Sequence, residues 1–212
     1  MVDVPPKVSE PTGRNIVIFS DGTGQRGGVF FDEARTNVYK LYRASRSGPD
    51  SSIPPEKQLA FYDPGLGTQS GGDGFFTRTW RTLYNYISQA TGLGITHNII
   101  DCYAAIIQLW RLGDRIFFFG FSRGAYTVRC LAAALCYCGI PSRDRPGHPL
   151  KRDDASARKL ATRAVKSVYQ HVSSQRDMQF FGQRKALAQW YREQHACADG
   201  PDTVPFFIGV SL

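Results

Sequence analysis

The run Arg115-Ile116-Phe117-Phe118-Phe119-Gly120-Phe121-Ser122-Arg123-Gly124-Ala125 decides how this chain is read. A short apolar segment, long enough for one buried strand, ends in Gly120-Phe121-Ser122-Arg123-Gly124, and an Ala- and Leu-rich segment follows at helical spacing to about Cys138. Strand, sharp turn and helix in that order are the layout of a nucleophile elbow, with Ser122 at its tip. Side chains at positions 120 and 124 would collide with the incoming strand or the outgoing helix, which is the physical reason for two glycines there. The backbone N–H of Arg123, at the N-terminus of the new helix, would point to where an acyl oxyanion forms. The same five residues also fit a plainer turn in which the serine merely caps the helix.

Working outward, the segment before this strand is the clearest amphipathic helix in the chain. Ile99, Ile100, Tyr103, Ile106, Ile107 and Trp110 recur at helical spacing, with Thr96 expected as its cap and Gly113 as its stop. Nearer the N-terminus, Asn15-Ile16-Val17-Ile18-Phe19-Ser20 predicts a first buried strand ending at the turn Asp21-Gly22-Thr23-Gly24. Thr36 should cap a helix over about 37–45, with Val38, Leu41 and Tyr42 on its inner face. A second strand is expected over Gln58 to Tyr62, ending at Asp63-Pro64-Gly65. The glycine-dense segment 65–74 lacks the Gly-Lys-Ser/Thr ending of a phosphate-binding loop, and the aromatic stretch 75–90 reads as helix. Strands that are continuous apolar runs, alternating with helices, predict an α/β fold with a mostly parallel sheet covered by helices on both faces.

From 141 to 200 the strand rhythm stops. Two helical patterns, about Asp153 to Ser173 and about Phe181 to His195, predict a helical, cap-like insertion after the elbow helix. Val204-Pro205-Phe206-Phe207-Ile208-Gly209-Val210 then reads as another buried strand. The 212 residues fit one domain, 15–212, behind a polar, proline-containing leader at 1–14 that resembles no secretory signal. No segment approaches the roughly 18 uninterrupted apolar residues of a membrane span, so the default expectation is a cytoplasmic protein, with non-classical secretion left open.

Five cysteines, Cys102, Cys130, Cys136, Cys138 and Cys197, lack zinc-finger spacing and read as buried free thiols, so neither a metal nor a cofactor is expected. The net charge of +8 is densest from Arg143 to Lys166, where no nucleic-acid-binding motif occurs. A solvated helix face is the first reading of that charge and contact with a membrane surface the second.

Ile18-Phe19-Ser20-Asp21-Gly22-Thr23-Gly24, Thr36-Asn37-Val38, Tyr62-Asp63-Pro64-Gly65-Leu66-Gly67-Thr68 and, above all, Gly113 through Arg129 resemble the α/β-hydrolase family catalogued as domain of unknown function 2235. Some of its members resemble type VI secretion phospholipase effectors. The matching blocks come in order across about 15–210. The resemblance implies a serine hydrolase in which Ser122 attacks a carboxylic ester, with a phospholipid among the candidate substrates. It also implies an Asp-Gly-Thr turn that lends an oxyanion donor from Gly22 or Thr23; the alternative is a turn in which Asp21 bonds its own backbone. A triad acid is implied where Leu212 stands, and a triad histidine further on.

A serine hydroxyl needs a histidine to take its proton and a carboxylate to orient that histidine. Asp177 and His195 are the substitute pair that keeps the chain order serine, acid, histidine. His97, His148 and His171 read as helix and turn residues. The expectation is therefore a C-terminally truncated, catalytically weak or inactive hydrolase domain, the alternative being a non-catalytic binding domain on the same fold. A phosphatase of the haloacid-dehalogenase type, suggested by Asp-Gly-Thr after a strand, would need its nucleophilic aspartate where Phe19 stands.

Overall fold

The computed structural model describes residues 13–22, 35–65, 91–170, 178–198 and 200–211. In chain order the elements are β1 (Asn15–Ser20), α1 (Asn37–Ser45), β2 (Gln58–Asp63), α2 (Thr91–Leu109), β3 (Arg115–Phe121), α3 (Arg123–Cys138), β4 (Arg143–Arg145), β5 (His148–Pro149), α4 (Asp154–Thr162), α5 (Met178–His195) and β6 (Pro205–Ser211). A π-helical segment, Arg163–Tyr169, continues α4. The leader up to residue 12, the glycine-dense stretch beyond Gly65 and the aromatic stretch 75–90 lie outside the described residues, as does His171.

The fold is α/β. Four strands form an all-parallel sheet in the order β2-β1-β3-β6, and β4 pairs antiparallel with β5 in a small separate ribbon. Alternation along the strands divides the core in two. Ile16 and Ile18 of β1 with Ile116 and Phe118 of β3 are fully buried against α2 and α3. Val17 and Phe19 face the other way, onto Val38 and Tyr42 of α1, where the rings of Phe19 and Phe119 stack 5.3 Å apart. Helices thus cover both faces, as a parallel sheet requires.

Several elements differ from expectation for reasons of packing. Thr36 does cap α1, its hydroxyl accepting from Tyr39 N–H at 3.0 Å, but Leu41 is exposed and only Val38 of the helix is buried. The α2 helix begins at Thr91, through Gly92 and Gly94, so Thr96 lies inside it. The Thr96 hydroxyl shares hydrogen bonds with the Gln170 amide instead. At the other end α2 stops at Leu109, and Gly113 (φ 90°) serves the following turn, which is tied by Asp114. Asp114 also receives Arg14 from the edge of the expected leader, at 2.7 Å through the guanidinium and 2.8 Å through the backbone N–H, fastening the entry to β1.

The helices of the 141–200 segment pack behind α2 and α3. Leu160, Ala164, Val165, Val168, Ala188 and Tyr191 belong to the same core as Ile18 and Phe118, so the described part of the segment thickens the domain from one side. Cys102, Cys130 and Cys138 are buried free thiols, whereas Cys136 is exposed and Cys197 half-buried. β6 corrects the sequence reading: Phe206, Phe207, Ile208 and Val210 are exposed. Among the described residues it pairs only with β3, and an apolar run cannot show by itself what packs against it.

Candidate active site

The chain leaves β1 toward β2 on one side and leaves β3 toward β6 on the other. The carboxyl ends of β1 and β3 therefore form a topological switch point, where open α/β sheets leave a crevice. Ser20 at the end of β1 aligns with Gly120 of β3 and with Asp63 of β2. Two residues beyond Gly120, the chain turns through Ser122 into α3.

Ser122 has φ 53° and ψ −117°, a conformation that costs a non-glycine residue about 1–3 kcal/mol and persists only when its surroundings impose it. The surroundings do impose it. A Cβ on Gly120 would lie 2.5 Å from the Gly124 carbonyl oxygen, and one on Gly124 would lie 1.9 Å from the Ser20 carbonyl oxygen. The turn is drawn tight between the sheet and the first turn of α3. Ser122 N–H donates to Ser211 O at 2.9 Å, and Ala125 N–H to Ser122 O at 3.0 Å. The serine side chain makes no capping bond to α3 and is exposed. The plain helix-capping alternative is thus absent from this structure.

Arg123 is the first residue of α3, so its backbone N–H sits at the positive end of the helix; burial lowers its guanidinium pKa. Gly22 comes up beside the serine: a Cβ on it would stand 3.3 Å from Ser122 Cβ. Its N–H donates to the Asp21 carboxylate at 2.8 Å. The buried Asp21 also accepts from the Thr36 hydroxyl at 2.6 Å and the Tyr62 hydroxyl at 2.8 Å. Thr23, the other residue considered for the oxyanion, lies outside the described residues.

Asp177 also lies outside them. The structure does not bring His195 to Ser122. It ends α5, buried beneath the Tyr191 ring, with Nδ1–H donating to Arg143 O at 3.1 Å. Its carbonyl accepts from Ser142 N–H just past the far end of α3, and a 16-residue helix is about 24 Å long. Desolvation lowers its pKa, so the ring is held neutral as a packing residue. His97 pairs with Asp101 on the surface of α2, and His148 is exposed on β5. None of these three histidines hydrogen-bonds Ser122.

Two buried acids stand under the elbow, and the residue pattern flagged only the first, as a side chain bonding its own backbone, which it does through Gly22 N–H. One is the carboxylate of Asp21, tied through three donors. The other is Asp63, buried at the end of β2, whose pKa is pushed up to about 6, first by desolvation. Its signal was an acid closing an apolar strand just before Pro64-Gly65. Among the described residues no cluster of His, Cys, Asp and Glu could hold a metal ion, and no helix is long and apolar enough to cross a membrane. A groove between Tyr137 of α3 and Lys185 and Arg192 of α5 lies at the end of α3 remote from Ser122.

Residues 14–210 match the family model described as type VI secretion system (T6SS), phospholipase effector Tle1-like, catalytic domain. The chain is 31% identical over 141 residues to an uncharacterized protein of Saccharomyces cerevisiae. That alignment covers 65% of this chain and 20% of the yeast protein, so the chain spans about a fifth of that relative's length. No solved structure matches.

Proposed function

The chain belongs to the family of Tle1-like phospholipase effector catalytic domains, and on that premise we propose that it is an α/β-hydrolase-type serine esterase acting on carboxylic esters of lipids. One observation carries the reading: Ser122 is held at φ 53° on the tip of a strand-to-helix turn, exposed and not capping its helix. A helix cap needs neither the strained backbone nor the two close approaches at Gly120 and Gly124.

In the proposed reaction Ser122 Oγ bonds to the ester carbonyl carbon, its proton passes to a base, and the carbonyl π electrons move onto oxygen. That oxyanion lies at the N-terminus of α3, where the Arg123 N–H supplies a donor. The Gly22 N–H is the proposed second donor, shared between the Asp21 carboxyl and the oxyanion. Collapse of the intermediate breaks the C–O bond while the base returns its proton to the leaving oxygen, so the alcohol departs and an acyl-Ser122 ester remains, which water hydrolyses to the carboxylic acid and free Ser122. The net charge of +8 favours an anionic phospholipid surface over a neutral one.

Because none of the described histidines reaches Ser122, the reading expects slow attack. The same fact favours the second reading, a non-catalytic lipid-binding domain on this fold. A fluorophosphonate probe separates them. Labelling that vanishes in Ser122→Ala supports the esterase, and its rate measures how well the serine is activated. Folded protein that shows no Ser122-dependent labelling, yet sediments with anionic phospholipid vesicles, would establish the binding domain instead.

A further inference from the structure

One buried acid that holds the elbow's supports has no part in the proposed attack. Asp63, the last residue of β2, is 8% exposed. Its Oδ2 accepts from the Ser20 hydroxyl at 2.8 Å, its Oδ1 from Gly65 N–H at 3.2 Å, and its carbonyl from Asp21 N–H at 2.9 Å. From α2, Asn98 hydrogen-bonds the same carboxyl, Asp101 adds a like charge, and the Cys102 thiol stands 4.0 Å from Oδ2. Among the described residues, Ser20 on β1 and these three on α2 are the polar and titratable side chains that face it.

Each bond leads on to Ser122. The Ser20 backbone is what a side chain at Gly124 would strike, so Ser20 sets how closely α3 seats on the sheet. Gly65, at φ 75°, presses on the other side: a Cβ there would lie 2.4 Å from the Gly22 carbonyl oxygen, and Gly22 abuts Ser122. We propose that Asp63 is a positioning residue for the elbow, its carboxylate clamping the turn after β1 to the turn after β2 and so fixing the backbone on which Ser122 stands. The clamp depends on ionisation. A carboxylate accepts from both Ser20 and Gly65, whereas a protonated carboxyl turns one oxygen into a donor and leaves one of those bonds weakened. The clamp stands on geometry alone; its effect on a reaction rests on Ser122 being the nucleophile.

The test follows the Asp63 carboxyl carbon and the backbone amides of Gly22, Gly65 and Ser122 by NMR through a pH titration of isotopically labelled wild-type protein. Fluorophosphonate labelling rates are measured on the same samples. The carboxyl is expected to titrate near pH 6, with all three amides following at the same midpoint. Ser20→Ala cuts only the Ser20 route, so Gly65 and Gly22 should still follow while the response of Ser122 shrinks. Where wild type labels, Ser20→Ala should label slower by on the order of tenfold or more at unchanged probe affinity, the signature of misplacement rather than lost binding. Flat Gly22 and Ser122 amides across a clear Asp63 transition would overturn the clamp, whether or not Ser122 labels. Coincident amides without any labelling would keep the clamp and reject the serine-hydrolase reading. Should Ser20→Ala fail to fold, the wild-type titration still decides, with Asp63→Asn as the second variant in which the common transition must vanish.

Discussion

Replacing Gly124 by alanine asks whether the elbow is as tight as the geometry says. The added Cβ would lie 1.9 Å from the Ser20 carbonyl oxygen, 2.4 Å from its carbon and 2.9 Å from Asp21 N, against the 3.4 Å at which ordinary contact begins. Something must move by about 1.5 Å, and neither side can yield cheaply. Ser20 is hydrogen-bonded into the sheet between β2 and β3, and α3 is packed through Val128 and Leu131 into the main core. Overpacking against backbone belongs at the upper end of the usual range, about 3 kcal/mol. Alanine returns about 1 kcal/mol through helix propensity, leaving a net loss of about 2 kcal/mol. For a domain of this size that lowers the melting temperature by roughly 4–8 °C. Gly182→Ala is the internal control. It lies within α5, where an added Cβ meets nothing within 4 Å, so propensity alone acts and stability should rise by about 0.5–1 kcal/mol. Urea denaturation of the three proteins reads both signs. Gly124→Ala at least as stable as wild type, beside a Gly182→Ala that behaves as stated, would refute the claim that this glycine seats the elbow helix on β1.

Two further outcomes follow from buried carboxyls. Asp63 has its pKa raised from 3.8 to about 6, so its contribution to stability is full below the unfolded value and is lost as pH rises through about 6. Between pH 4 and pH 7 the stability difference between wild type and Asp63→Asn should therefore shift by about 2 kcal/mol, in favour of wild type at the acid end. Urea unfolding at several pH values measures it, and a constant difference would contradict the assignment. Asp114, 3% exposed, accepts from both the side chain and the backbone of Arg14 and from Arg111 N–H. Asp114→Ala should cost about 3 kcal/mol, since it strands several donors at once, and amide exchange should speed up first at the start of β1. Exchange unchanged at Asn15 and Ile16 would show that β1 does not depend on this anchor.

The elbow was legible because its constraint is local. Gly120, Ser122 and Gly124 sit within five residues, and the apolar run before them with the helical pattern after them specify a strand and a helix too close together for side chains at 120 and 124. Continuous apolar strands alternating with helices were enough for a parallel sheet, since only a sheet covered on both faces buries every residue of such a run. Residue pattern could not rank the histidines. His195 satisfied the chain order, yet the packing of α5 carries it to the opposite end of α3, because chain order says nothing of distance once helices fold back on one another. β6 differs for a related reason: composition records a strand's affinity for a core, and only the folded structure shows that Phe206, Phe207, Ile208 and Val210 lie exposed among the described residues. Asp63 shows the same division. A single acid after an apolar strand carries no chemistry on its own, and its burial, its bond to Ser20 and its reach toward Ser122 through Gly65 and Gly22 exist only once three strands 40 to 100 residues apart lie side by side. The sequence alone thus determined the α/β architecture and the place of the serine; the tertiary structure decided what holds that serine and which histidines stay away from it.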